Sequence, residues 1–181
     1  DLTHSIRMSN FIPKRWADRR LINSFEGPAK RGEYYTFQIG VLAKEQALND
    51  LNVLYTDFTS LSGASINASE FICFNLGGVD LKGKFFKKPI SIEKGFVQPL
   101  WFGVQIPNNE SGRFSGEITI TPLNAPAQKV LVNITIEDEI ASNSGDDYPE
   151  NMTRMRWLNS TIGTDPNFII QIGRASCRER V

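Results

Sequence analysis

The sequence predicts an all-β protein, a two-sheet antiparallel β-sandwich of the immunoglobulin or galactose-binding type with irregular extensions at both ends. Three observations predict it. About seven short segments alternate apolar and polar residues with period two. Turn-forming Gly, Pro and Asn residues separate these segments, and no segment has the period of a long helix. Strands of this kind each hide one face, and two sheets bury those faces against each other.

The clearest strand lies at residues 35–41, where the odd positions are apolar and the even positions are Thr, Gln and Gly. That alternation predicts a half-buried strand with a polar outer face. Pro89 lacks a backbone N–H, so its segment belongs at an edge or a bulge. The predicted strands are residues 35–41, 51–55, 71–76, 85–92, 96–106, 113–121 and 129–137.

The period-two pattern starts at Ser24 and breaks after Asp138, which places the sandwich domain at residues 24–139. Residues 1–23 read as a lead-in segment from a preceding region, in which Trp16 to Ile22 forms a short helix or packs on the domain. Residues 141–147 are rich in Ser, Asn, Gly and Asp, a composition typical of a flexible linker. Residues 140–171 are therefore predicted to be a linker and the start of a further, missing domain.

The last ten residues, 172–181, read IGRASCRERV and resemble the translation of a common sequencing adapter. We expect this tail to be an artefact, as in a metagenomic fragment whose reading frame continues beyond Gln171. The remainder of the chain is slightly acidic, and without Cys177 the residue Cys73 has no internal disulfide partner. A buried thiol is the expected state of Cys73.

Composition excludes several function classes. Lys+Arg and Asp+Glu both number 20, so no global charge favours nucleic acid or an anionic membrane. No apolar run reaches the roughly 20 residues of a membrane helix. One histidine, His4, and two cysteines are too few for a structural zinc site or a histidine-assisted nucleophile. We therefore expect no metal, no cofactor, no nucleic-acid partner and no membrane partner.

Asp138-Glu139 is the only Asp-Glu dipeptide and is the candidate for a catalytic carboxylate pair. Catalytic acids need burial or a close like charge in a pocket to raise the pKa. Because the dipeptide follows a strand and opens the predicted linker, we interpret it as solvated charge. No catalytic residue is assigned.

Two further groups are candidates for binding. The lysines at 82, 84, 87 and 88 suit an anionic glycan or a soluble edge strand, and the edge strand is favoured. Trp101, Tyr34, Trp16 and Tyr148 suit either sugar stacking or packing, and packing is favoured. Trp101, Tyr34 and Lys84 are the candidate substrate-binding residues.

Arg154, Arg156 and Trp157 lie beyond the sandwich period and form an arginine–aromatic cluster. Such clusters are enriched at the centres of protein interfaces. The interpretation preferred over sugar binding is an interdomain contact.

From Arg31 onward, the chain resembles the N-terminal β-sandwich domain of glycoside hydrolase family 123 and related Bacteroidetes proteins. The order and spacing of five segments carry the resemblance. They are RGEYYTFQIG at 31–40, CFNLGGV at 73–79, GFVQPLWFGVQIP at 95–107, GRFSGEI at 112–118 and RMRWLNSTIG at 154–163.

The resemblance implies a periplasmic or extracellular parent enzyme, in which such sandwiches precede a (β/α)8 barrel acting on N-acetylated galactosaminides or related glycans. In that family the substrate's acetamido oxygen attacks the anomeric carbon, and an Asp-Glu pair of the barrel orients that group and supplies the acid. The barrel is not in this sequence, and its pair is not Asp138-Glu139.

The expected function is therefore a non-catalytic accessory domain that supports the catalytic barrel of a larger glycoside hydrolase, with that barrel as partner. The alternative is a carbohydrate-binding module that targets the enzyme to glycan. A third hypothesis is a complete small enzyme that uses Asp138-Glu139.

Overall fold

A computed structural model describes residues 22–161 of the chain. The lead-in residues 1–21, with His4 and Trp16, and the predicted adapter tail lie outside the described residues. Two sets of elements follow from the backbone. The strands are β1 Ser24–Arg31, β2 Tyr34–Leu42, β3 Asn52–Tyr55, β4 Phe58–Ser60, β5 Ser65–Ile66, β6 Phe71–Cys73, β7 Gly77–Val79, β8 Phe85–Lys87, β9 Val97–Gln105, β10 Gly112–Thr121 and β11 Gln128–Ile140. Short 3-10 helices span Ala68–Glu70, Phe74–Leu76, Ser142–Gly145, Pro149–Asn151 and Thr153–Asn159.

The strands form two main sheets and a separate hairpin. The larger sheet has the order β1-β11-β10-β4-β5, and β3 also pairs with β10. The smaller sheet has the order β2-β9-β6, and β7 pairs with β8 in the hairpin. The predicted all-β sandwich is confirmed.

The core is a connected chain of aromatic rings between the two sheets. Four contacts cross from one sheet to the other, and the Phe37–Phe102 stack links neighbouring strands of the smaller sheet. Such ring pairs add to the stability from area burial. The centroid distances are 4.8 Å for Phe25–Phe37, 5.3 Å for Phe37–Phe102, 6.2 Å for Phe102–Tyr55, 5.7 Å for Tyr55–Phe71 and 4.2 Å for Phe71–Phe58.

One strand pairing departs from the antiparallel prediction, because β1 runs parallel to β11. The chain passes from β1 in the larger sheet to β2 in the smaller one through Gly32, whose φ is +71°. Because consecutive strands are thereby placed in different sheets, β1 borders the last strand instead of its own successor. Period two is the same in parallel and antiparallel strands, so the sequence pattern carried no information on direction.

The segment predicted as strand 85–92 is shorter in the structure. The strand ends at Lys87, before Pro89, and Ile92 forms only an isolated bridge with Leu48.

Cys73 is buried, as expected, and burial raises the pKa of its thiol to about 11.

Residues 140–171 were predicted to be a linker and the start of a further domain, but residues 141–161, called the covering segment below, lie across the smaller sheet. The Thr36 hydroxyl donates a hydrogen bond of 2.6 Å to the carbonyl of Asn151. Ala141, Gly145 and Thr153 are buried. The polar face of β2 is therefore covered, which is why residues 34–38 are buried on both faces.

Gly116 leaves the space that the Phe58 ring occupies. A Cβ built at residue 116 would lie 2.0 Å from Cδ1 of Phe58, whose side chain is fully buried. We expect Gly116→Ala to lower the free energy of unfolding by about 3 kcal/mol, because the ring has no free volume to enter. Urea denaturation followed by circular dichroism measures it, and a loss of less than about 0.5 kcal/mol would contradict this packing.

Candidate functional site

The covering segment is held together by Asp146. Its carboxylate accepts hydrogen bonds from the Thr153 hydroxyl at 2.9 Å and from the Arg156 guanidinium, with which it forms an ion pair. Both charged side chains are partly buried. This pairing fixes the Thr153–Asn159 helix against the turn at residues 142–146.

The three predicted interdomain residues, Arg154, Arg156 and Trp157, differ in their contacts and exposure. Arg156 is committed to Asp146, and its guanidinium carbon lies 5.4 Å from the centre of the Trp157 ring. Trp157 and Arg154 are exposed. Arg156 thus orders the local segment, whereas Trp157 and Arg154 face solvent.

Tyr34 lies beneath the covering segment. Its side chain is buried, its ring packs 6.5 Å from that of Phe74, and its hydroxyl has no hydrogen-bond partner within residues 22–161. Burial raises the pKa of the phenol to about 12, although the positive charge of Arg156 acts in the opposite direction. A buried ring offers no face for a sugar to stack on.

Trp101 is half-buried on the same outer face of the smaller sheet. Its backbone N–H donates to the side-chain oxygen of Asn75 at 2.6 Å. Tyr34 pairs with Gln105 and Trp101 with Gln38, so the two aromatics are four positions apart along the sheet, or roughly 13 Å. Lys84 is exposed on the separate β7–β8 hairpin. The structure therefore does not bring the three candidate substrate-binding residues together, because Tyr34 and Trp101 lie apart on one face of the smaller sheet and Lys84 lies on the hairpin.

The hairpin turn is built on Asp80. Its carboxylate accepts the backbone N–H groups of Lys82 and Lys84, both at 2.9 Å, and Gly83 adopts a φ of +74°. All four lysine side chains, at 82, 84, 87 and 88, are exposed. No ion pair joins them to a carboxylate in the described part of the chain.

Asp138 and Glu139 lie in β11, at a bulge opposite the end of β1, and not in a linker. Lys30 Nζ is 2.8 Å from Glu139 Oε1, and the Arg31 guanidinium donates to the Asp138 carbonyl. Both acidic side chains are exposed. These contacts join the end of β11 to the end of β1 at the bulge.

A buried carboxyl that the sequence analysis missed is Glu33. Its Oε2 accepts the Lys30 backbone N–H at 2.8 Å, and Gly145 of the covering segment packs on it so closely that an added Cβ would lie 3.2 Å from its Cγ. Loss of hydration raises the pKa of Glu33 above its ordinary value, and the Lys30 N–H partly opposes this. Glu33 follows a glycine between two strands, which by itself indicates only a turn.

An apolar cleft of about 450 Å³ opens between the sheets at the end of β2. Its walls are mainly aliphatic, and Lys44 and Glu45 also line it.

Within residues 22–161, no three His, Cys, Asp or Glu side chains are grouped closely enough to hold a metal ion. Of the helices that the structure describes, none has the length and apolar character needed to cross a bilayer.

Comparison with known proteins shows likeness in fold alone. No protein-family model and no curated protein matches the chain. Among solved structures, a family 123 glycoside hydrolase from Clostridium perfringens, studied for glycolipid glycan hydrolysis, matches with a TM-score of 0.55 and 15% identity. The match covers 71% of this chain and 25% of that chain. The chain therefore has the fold of part of a family 123 glycoside hydrolase and spans about a quarter of its length.

Weaker likenesses exist to two other proteins. A GH5 xyloglucanase from Bacteroides ovatus matches with a TM-score of 0.35 and 14% identity over 67% of this chain and 19% of that chain. A PapD-like domain of human CEP192 matches with a TM-score of 0.37 and 14% identity over 67% of this chain and 84% of that chain. At these scores neither bears on function.

Replacing Tyr34 by Phe removes a buried hydroxyl that has no hydrogen-bond partner among the described residues. We expect Tyr34→Phe to raise the free energy of unfolding by about 1 kcal/mol, since the buried polar group is costly and no bond is lost. Chemical denaturation measures the change. A loss of stability of similar size would show that the hydroxyl has a partner in solution.

Glu33 should make stability depend on pH. Because its folded pKa lies above the unfolded value, the folded state holds its proton more tightly, so stability falls as pH rises from the unfolded to the folded pKa. Glu33→Gln keeps an oxygen that accepts the Lys30 N–H and removes this loss. We expect the melting temperature of Glu33→Gln to exceed wild type by more at about pH 8 than at about pH 4. An equal difference at both pH values would contradict a raised pKa.

Proposed function

We propose that the chain is a non-catalytic accessory β-sandwich domain of a larger glycoside hydrolase. The observation that carries the proposal is the fold match to a family 123 glycoside hydrolase in which this chain corresponds to a quarter of the length. The placement of Asp138 and Glu139 agrees with it. Their side chains are exposed at a cation-paired bulge, without the burial or close like charge that raises the pKa of a catalytic acid.

The finer parts of the proposal rest on the sequence resemblance. The parent enzyme acts on N-acetylated hexosaminides in the periplasm or outside the cell, and its chemistry belongs to a (β/α)8 barrel elsewhere in the same chain. The sandwich supports that barrel, and Arg154, Arg156 and Trp157 belong to the interdomain contact. Arg156 acts by ordering the covering segment through Asp146.

A carbohydrate-binding module is the second candidate. It draws on Lys84 and the half-buried Trp101, which are accessible. The burial of Tyr34 removes one of the aromatics expected in a sugar platform. The two remaining residues lie on separate surfaces, so the accessory role is better supported.

Hydrolysis of a chromogenic N-acetylgalactosaminide tests the proposal. We expect no hydrolysis above buffer by the 181-residue chain and hydrolysis by the protein expressed from the full reading frame. A matched glycan array on the 181-residue chain should show no binding that is lost in Trp101→Ala. Turnover by the short chain that disappears in Asp138→Asn would establish the small-enzyme hypothesis, and Trp101-dependent glycan binding would establish the binding module.

A further inference from the structure

The hydrophobic core is partly uncovered at one end of the sandwich, along the walls of the apolar cleft. Among residues 22–161, seven hydrophobic residues pack against the core but are only partly buried. Three of these seven, Ile39, Val41 and Leu48, line the cleft. The cleft also reaches Ile120 and Val130, which belong to the core itself. Because apolar surface in contact with water is unfavourable, an apolar occupant of this cleft would stabilise the fold.

The polar side chains of the cleft lie at its mouth. All five are exposed, and the side chains of Lys44 and Glu45 are 69% and 83% exposed. The five are Asn23, Lys44, Glu45, Gln46 and Gln128. An occupant of the interior therefore meets mainly aliphatic carbon. A sugar suits such a site poorly, because its hydroxyl groups would lose their hydrogen bonds to water.

The chain enters the described structure in the wall of this cleft. Ile22 and Asn23 both line it, and Ile22 is 75% exposed. The Leu131 N–H donates a hydrogen bond of 2.9 Å to the Asn23 carbonyl, which fixes this point of entry beside the larger sheet. The residues that precede Ile22 are therefore joined to the chain at the cleft.

The sequence just before Ile22 supplies apolar side chains. Residues 16–21 read WADRRL, with Trp16 and Leu21 as large apolar residues on either side of a charged centre. Trp16 is six positions before Ile22, so the two residues are at most about 20 Å apart even in an extended chain. A tether this short gives a high effective concentration at the cleft. The segment therefore has an advantage over a ligand or a second copy that is free in solution.

We propose that the apolar cleft is the docking site for residues 16–21 of the same chain, and that Trp16 and Leu21 are the side chains that enter it. The docked segment covers the partly buried core residues and closes this end of the sandwich. Its charged residues, 18–20, stay in water at the mouth, near Lys44 and Glu45. A cleft of about 450 Å³ has the size of a small-ligand pocket, but here it is a site for the chain itself. The inference does not depend on the proposed function.

Cysteine labelling of the 181-residue chain tests the docking. Cys177 is replaced by Ser, the buried Cys73 is kept, and Ala125→Cys reports on the cleft that Ala125 lines. Leu123→Cys is the matched control reporter. Leu123 lies in the same connection between β10 and β11, is 78% exposed and does not line the cleft.

The docked segment is removed from the cleft by Trp16→Ser combined with Leu21→Ser. We expect this pair to raise the labelling rate at residue 125 about tenfold or more, because the apolar side chains that hold the segment in place are lost. The rate at residue 123 should not change. Asp18→Ser combined with Arg19→Ser is the matched control, since it keeps both apolar side chains and should leave both rates unchanged.

Two further measurements keep the test decisive if the substitutions disturb folding. Cys73 is buried, so its labelling in the same samples reports unfolding. In the chain with its own residues 16–21, NMR measures through-space contacts between the Trp16 indole protons and the methyl groups of Ile120 and Val130. We expect these contacts, and their absence would overturn the proposal without any substitution.

Equal labelling rates at residue 125 with and without the Trp16 and Leu21 side chains, in protein whose Cys73 stays unlabelled, would also overturn the docking. A labelling rate at residue 125 that falls as the protein concentration is raised would assign the cleft to a second copy of the chain. That result would overturn the proposal as well.

Discussion

The fold depends on the stack of aromatic rings that joins the two sheets. Phe25, Tyr55 and Phe58 of the larger sheet meet Phe37, Phe102 and Phe71 of the smaller one in a continuous series. Because interiors are packed to crystal-like density, these rings set the spacing and the alignment of the sheets together. Gly116 is part of this packing, because the Phe58 ring fills the space that a side chain at residue 116 would need.

A second layer of packing follows from the first. The inner face of the smaller sheet packs in the ring stack, and Tyr34, Thr36 and Gln38 lie on its outer face. The covering segment packs over part of that outer face. This cover buries Tyr34 and the carboxyl of Glu33, and their raised pKa values follow from lost hydration. Raised pKa values can mark catalytic groups, but here they accompany packing against the covering segment.

The cover also changes which residues remain available for recognition. It removes Tyr34 from the surface and commits Arg156 to Asp146, while it leaves Trp157 exposed beside the hairpin. The helix that carries Trp157 meets the β7–β8 hairpin at Gly78, where an added Cβ would lie 3.3 Å from the Leu158 carbonyl oxygen and 3.6 Å from the Phe86 ring. Two adjacent phenylalanines in a strand point to opposite faces, and in this hairpin both Phe85 and Phe86 are exposed.

The sequence by itself determined the sandwich, because the alternation at residues 35–41 and 129–137 sends every second side chain inward whatever the pairing. It also indicated that Asp138-Glu139 would be solvated and that Cys73 would be buried, since both follow from local pattern. Only the tertiary structure decided that β1 runs parallel to β11, that residues 141–161 fold back on the smaller sheet, and that Glu33 is buried. These features depend on contacts between residues about 100 positions apart in the sequence. The local alternation of apolar and polar residues gives no information on such contacts.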